Sequence, residues 1–202
     1  MEYVLLALAG YLIGSINFSI VLTKWIKGID IRDVNSTNPG ASNVTLTLGL
    51  KWGVVVFFLD VFKGFVPVFI VRMFFPDQDI LWILTGVAAL VGHAFPIYYK
   101  FKGGKGTSTY TGVVFGAFPF LGAILFVLLI LTTLLSDYIV VGTLFLIIPP
   151  PIYMIVSGKF HWISIVLLTS FAVINLLKHS NNFVALYHGN EKKVISSLKK
   201  KT

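Results

Sequence analysis

Apolar runs close to twenty residues long follow one another along most of this chain, and nothing constrains its fold more. A helix needs about 20 such residues to cross the hydrocarbon of a bilayer. In lipid, each backbone N–H and C=O has to be satisfied within the spanning element, which favours helices. The runs cover residues 4–23, 52–73, 80–98, 107–135, 138–156 and 160–177. Charged residues make up 12% of the 202, roughly half the share usual in soluble domains. The chain is therefore expected to be an all-α, polytopic integral membrane protein. A single membrane-embedded domain over residues 1–202 is expected, because no hydrophilic block is long enough to fold separately.

The charge outside the runs sets the topology. Lys24, Lys27 and Arg32 follow the first run, which places that end in the cytoplasm and the N-terminus outside. Met1-Glu2-Tyr3 carries no basic leader, so the first run reads as a retained helix. The tail holds Lys192, Lys193, Lys199, Lys200 and Lys201 and belongs on the cytoplasmic side as well. Six crossings would put His179 opposite His93. Breaking 107–135 near Phe118-Pro119 restores the parity, because proline cannot continue a helix's hydrogen bonding. About seven transmembrane or half-spanning helices result. The net charge of +8 suits an anionic leaflet or anionic substrates better than nucleic acid. With no cysteine, disulfides and thiolate chemistry are excluded, and the redox compartment stays open.

Three polar stretches interrupt this pattern. The most concentrated is G-H-A-F-P-I-Y-Y-K-F-K-G-G-K-G at residues 92–106. Its Gly-Gly pair allows tight turns, and exposed N–H groups flanked by lysine make an anion cradle. It is not a Walker A loop, since neither the glycine spacing nor the following Ser/Thr is present. The plainer reading is a basic loop that only fixes topology. The loop at 30–43 is dense in Asn, Ser, Thr, Gly and Pro and too long for a bare connector. Asp60 and Lys63, three residues apart in the second run, share one helix face. They read first as a self-neutralising pair facing the bundle interior and second as chemistry. A nucleophile–base pair of Ser36 with His93 or His179 is conceivable, but no third, orienting carboxylate stands out. His161 and His188 sit in no motif and read as interfacial or solvated. No metal-ligand spacing is present, and no metal or cofactor is expected.

With these stretches gathered on one side, the chain resembles the bacterial acyl-phosphate:glycerol-3-phosphate acyltransferases (the PlsY family). The resemblance runs over nearly the whole length. It is carried by G-S-I-N-F at 14–18, D-I-R at 30–32, N-S-T-N-P-G-A-S-N-V at 35–44, L-D-V-F-K-G at 59–64, G-H-A-F-P at 92–96 and K-F-K-G-G-K-G at 100–106, and closes with His179 and Asn182. It implies a seven-helix fold in the bacterial inner membrane, with the active site on the cytoplasmic side. It also implies transfer of a fatty acyl group from acyl phosphate to glycerol 3-phosphate, giving lysophosphatidate. The implied partners are these two small molecules and membrane lipid, with no nucleic acid. Ser36, Lys105, His179 and Asn182 are the implied catalytic residues. Asn38, Gly40, Asn43 and His93 are expected to bind substrate, together with Lys102, Gly103, Gly104 and Thr143.

The chain also departs from that family. Asn35-Ser36-Thr37-Asn38 stands where Gly-Ser-Gly-Asn is usual. Leu46, Asp137 and Ser180 stand where the family has arginine, and Val140 where it has an inner serine. Arginine forks are the preferred partners of phosphate. Three functions are therefore weighed: the glycerol-3-phosphate acyltransferase, a divergent paralogue with another acceptor or a partner role, and a small-anion transporter. The last lacks a visible inverted repeat. Acyl transfer itself needs little from the protein. Acyl phosphate is already an activated mixed anhydride, so positioning and stabilisation of the leaving phosphate suffice.

Overall fold

The computed structural model of the chain describes residues 1–193 and Ser196. Lys199, Lys200 and Lys201 of the basic tail lie outside them. The chain divides into two compact units, Met1–Ala117 and Phe118–Thr202. Helices fill both, and among the described residues there is no strand.

The first unit contains α1 (Glu2–Ser15), α2 (Phe18–Lys27), α3 (Ala41–Leu48), α4 (Leu50–Phe74), α5 (Asp79–Ala94) and α6 (Thr107–Ala117). Single 3-10 turns lie at Ile31–Asp33 and Ile97–Tyr99. The first apolar run remains one candidate span, 2–27, built from two helices. It breaks between α1 and α2, where Ile16 is extended and the Asn17 side chain accepts the Ile20 N–H at 3.1 Å. Asparagine offers the backbone this alternative to the helical ladder, so it starts a new helix. Helix α1 packs on α5, and α4 packs on α3, α5 and α6. The α4–α6 seam is backbone against backbone: a Cβ on Gly112 would stand 1.9 Å from the Val61 carbonyl oxygen. Without a hydrophobic effect between helices in lipid, such close approach supplies the attraction. The long polar loop does not run free to α4, because its last residues, from Ala41, open α3. Ile20, Ile31, Val44 and Val56 form a buried knot beneath it, flanked by Trp52 and Tyr99.

The second unit contains α7 (Pro119–Ser136), α8 (Ile139–Ile147), α9 (Pro149–Ser157), α10 (Trp162–Lys178) and α11 (Ser180–Tyr187). The expected break near Phe118-Pro119 is present: α6 ends at Ala117 and Pro119 opens α7. The run at 138–156, expected whole, also divides. Pro149, Pro150 and Pro151 occupy the first turn of α9, where missing N–H groups cost nothing, but they cannot extend α8. Helix α8 packs on α7, α9 and α10. Phe118, Tyr153 and Phe160 meet at ring separations of 5.4 to 5.9 Å.

Among the described residues, five helical stretches are long and apolar enough to cross a membrane: 2–27, 50–74, 79–99, 119–136 and 139–157. The pair α10–α11, bent by 47°, makes a sixth. Helix α6 adds a half-span: its 11 residues reach about 16 Å, roughly half the hydrocarbon thickness. The protein is an all-helical, polytopic integral membrane protein.

Candidate functional site

The first unit brings two polar loops together, and one arginine joins them. Asp30 caps the 3-10 turn by accepting the Arg32 N–H at 2.9 Å. The Arg32 guanidinium forks back onto the same carboxylate, with Nη2–Oδ2 at 2.6 Å and Nε–Oδ1 at 3.0 Å. That fork holds the Asp30 carboxyl below the usual carboxylate range. The remaining nitrogen, Nη1, donates to the Tyr99 carbonyl at 3.1 Å in the second loop. Together they border a pocket of about 390 Å³ whose wall includes Arg32, Thr37, Lys100, Lys102 and Gly103. Sequence reading gave Arg32 no role of its own. The available signal was an acid and a base two positions apart at the head of a polar loop.

Asn43 organises the first loop from within. It is 1% exposed, and its amide donates to the carbonyls of Ile31 and Val34 at 3.0 Å and of Asn38 at 3.2 Å. These bonds close the chain on itself and present Ser36 at the exposed tip. Asn35 and Thr37 on either side have φ of +51° and +57°. Asparagine tolerates this left-handed region, whereas a β-branched threonine there is an outlier. Asn38 and Gly40 follow, half-buried, and Gly40 is the N-cap of α3.

The second loop rests on His93. This residue is the last but one of α5, at 3% exposure, and its carbonyl accepts the Gly104 N–H at 3.1 Å. A Cβ on Gly103 would stand 2.1 Å from that carbonyl oxygen. One on Gly104 would stand 2.4 Å from His93 Nε2 and 2.8 Å from the Pro39 carbonyl of the first loop. Only glycine permits this approach, so the Gly-Gly pair serves close packing as well as turning. Lys102 is exposed and Lys105 half-buried. Gly106, with φ of +95°, turns the chain into α6. The positive end of that helix faces back along the lysine-rich loop, a favourable setting for an anion.

Below the loop lies the Asp60–Lys63 pair of α4. Lys63 Nζ stands 2.5 Å from Asp60 Oδ1, and both side chains are at most 3% exposed. The pair is self-neutralising and interior, as expected. His93 Nδ1 is 3.8 Å from the same carboxylate oxygen. Sequence reading found no carboxylate to accompany a histidine; Asp60 is one, placed there by the packing of α4 on α5.

The second unit holds the other expected residues. His179 closes α10 at 5% exposure, its Nδ1 2.9 Å from the Asn175 carbonyl oxygen. Asn182 lies one turn on, its backbone N–H donating to the His179 carbonyl at 2.9 Å. The Asn182 amide donates to Glu191 Oε1 at 2.7 Å, a partner that sequence reading did not suggest. Thr143 is fully buried in α8 and donates to the Ile139 carbonyl at 3.0 Å. Asp137 ends α7 in the left-handed region, and its carboxylate accepts from the Ser196 hydroxyl. His161 is exposed and caps α10 by accepting the Ile163 N–H, and His188 is exposed.

The chain is similar to known proteins over nearly its whole length. The family model for glycerol-3-phosphate acyltransferases matches residues 4–189. The glycerol-3-phosphate acyltransferase of Thermotoga petrophila is 38% identical over 195 residues, covering 96% of this chain and 97% of its own. That of Aquifex aeolicus is 41% identical over 161 residues, 78% of this chain and 82% of its own. A crystal structure of PlsY (YgiH), an integral membrane glycerol 3-phosphate acyltransferase in its glycerol 3-phosphate form, superposes with a TM-score of 0.89 at 34% identity, covering 96% of each chain. Its lysophosphatidic acid form superposes with a TM-score of 0.84 at 32% identity, covering 96% of this chain and 95% of the other.

Proposed function

This chain belongs to the glycerol-3-phosphate acyltransferase family, and on that premise we propose that it transfers a fatty acyl group from acyl phosphate to glycerol 3-phosphate, forming lysophosphatidate. The observation that carries the reading is the pair of polar loops stapled by Arg32 around a pocket edged with Lys100 and Lys102. The related crystal structures, described as glycerol 3-phosphate and lysophosphatidic acid forms, support the acceptor and the product. The site faces the cytoplasm of a bacterial inner membrane, on the side where positive-inside charge puts both loops.

The chemistry follows from the substrates. A glycerol hydroxyl oxygen attacks the acyl carbonyl carbon, the bond from that carbon to the phosphate oxygen breaks, and the hydroxyl proton leaves with the released phosphate or a nearby base. Charge grows on the carbonyl oxygen and on the departing phosphate. Lys105 and the loop amides stabilise it electrostatically, and no covalent intermediate is needed. Ser36, His179 and Asn182 take catalytic roles by resemblance, with Asn38, Gly40, Lys102, Gly103, Gly104 and Thr143 in substrate binding. Asn43 and His93 hold the loops in shape from beneath.

The test is direct. Purified protein is incubated with acyl phosphate and glycerol 3-phosphate, and lysophosphatidate and inorganic phosphate are measured. Equal amounts of both are expected. Transfer to uncharged glycerol but not to glycerol 3-phosphate would refute the acceptor.

A further inference from the structure

Asp60 and Lys63 touch neither loop surface, yet the groups they meet lead to both loops. Lys63 Nζ is held by Asp60 Oδ1 and donates to the Ile16 carbonyl at 2.8 Å, at the break between α1 and α2. Its ammonium also lies 5.7 Å from the Phe18 ring. Asp60 Oδ1 faces Nδ1 on one edge of the His93 ring. The other edge, Nε2, lies against Gly104, whose N–H is bonded to the His93 carbonyl. Gly104 in turn sits against the Pro39 carbonyl of the first loop and immediately precedes Lys105. Asn17, one residue beyond the Lys63 contact, reaches the same Pro39 carbonyl at 3.5 Å.

A self-neutralising pair needs none of this to be tolerated in a membrane. Two charges in hydrocarbon are costly even when paired, and a well-packed apolar pair is often as stable or more so. Keeping them beneath a loop requires a return. The ring of His93 is packed between the Asp60 carboxylate, 3.8 Å from its Nδ1, and the backbone of the second loop. At this distance the carboxylate acts on the ring through its charge and its packing, without a hydrogen bond.

We propose that Asp60, Lys63 and His93 form a buried positioning relay that sets the height of Gly104, and with it Lys105, above the first loop. They are positioning residues, acting through the loop without contact with substrate. The inference rests on the acyl-transfer reading, and its main readout does not depend on that reading.

The experiment compares wild type with D60N/K63M, which removes both charges together and leaves neither stranded. Amide hydrogen exchange is followed over the peptide spanning 99–108, with α5 as the internal reference. The double variant should fold, and its loop amides should exchange about tenfold faster, the worth of one net hydrogen bond. In acyl transfer its kcat should fall about a hundredfold, the effect of misplacing a group by roughly 1 Å, with the KM for acyl phosphate little changed. K63R, which keeps the charge, should restore most of the turnover relative to the double variant. A folded double variant whose loop exchange matches wild type would overturn the relay. If the double variant does not fold, H93Q takes its place, and normal loop exchange in that variant overturns the relay equally. Wild-type protein that transfers no acyl group would refute the functional reading alone, because the exchange comparison still decides the relay.

Discussion

Replacing Thr37 with glycine should make this protein more stable, against the usual direction for a glycine substitution. Thr37 holds φ of +57° beside the exposed Ser36. A left-handed backbone costs an L-residue roughly 1–2 kcal/mol, and β-branching puts threonine at the upper end. Glycine removes that cost but adds freedom to the unfolded chain, worth about 0.5–1 kcal/mol in the other direction. The net gain is about 0.5–1 kcal/mol. For a chain of this size each 1 kcal/mol moves Tm by about 2–4 °C, so Thr37→Gly should melt about 1–4 °C higher. Thermal unfolding of detergent-purified protein measures the shift. Thr37→Ala keeps the left-handed backbone and should gain less. Turnover should survive Thr37→Gly, because the members of the family that this chain resembles usually carry glycine at that position. A lower Tm for Thr37→Gly, or an equal rise for Thr37→Ala, would show that the turn is not strained.

Lys105→Ala should lower kcat by about 10²–10³, the range for losing one transition-state charge contact, while Lys159→Ala, exposed and outside every motif, should leave steady-state kinetics unchanged. Leu46→Arg should lower the KM for glycerol 3-phosphate roughly tenfold, since a charged hydrogen bond to phosphate contributes about 1.5–3 kcal/mol; an unchanged KM would mean that position 46 does not face the acceptor phosphate. Single cysteines replacing Thr37, Lys102 or Asn190 in this cysteine-free chain should resist an impermeant thiol reagent added to intact cells, and labelling of any one would place that segment outside. The Asp30 carboxyl is held below its ordinary value of 3.8 by Arg32, so the staple is intact above that pH and weakens as pH falls through the depressed value; proteolysis of the two loops should therefore rise only in that acid range, and an Arg32→Gln variant should lose the dependence.

Periodicity and apolar length carried most of the fold, because a bilayer leaves few alternatives to a helix. The break at Phe118-Pro119 was legible because proline has one meaning in a spanning run. Asn17 interrupts the first run visibly, but a polar residue in a membrane helix reads first as a contact between helices, and its capping of α2 was not legible. Asp60 and Lys63 could be paired by spacing alone. That the pair faces His93, and that His93 carries Gly104, follows from α4 meeting α5 at one height, which no local pattern encodes. The left-handed turn at Thr37 was hidden for another reason: the residue present is one that such a backbone disfavours. Arg32 was visible as half of a local pair, but its bond to Tyr99 spans 67 positions. His179 and Asn182 stood out only through resemblance, and Glu191 beside Asn182 carried no motif.

The Asp60–Lys63 spacing bears on how the chain enters the bilayer at all. A membrane protein is threaded into lipid in order as it is made, and α4 emerges before α5 exists. A lone Asp or Lys near the centre of an inserting helix costs about 2.5–3.5 kcal/mol on insertion scales. Because acid and base lie on the same helix three residues apart, α4 brings its own counter-ion into the lipid. It can wait there until His93 arrives 30 residues later, at roughly 5–20 residues per second a pause of some seconds. Had the partner of Asp60 been placed on α5, the acid would cross the interface alone, and the order of synthesis would work against the fold.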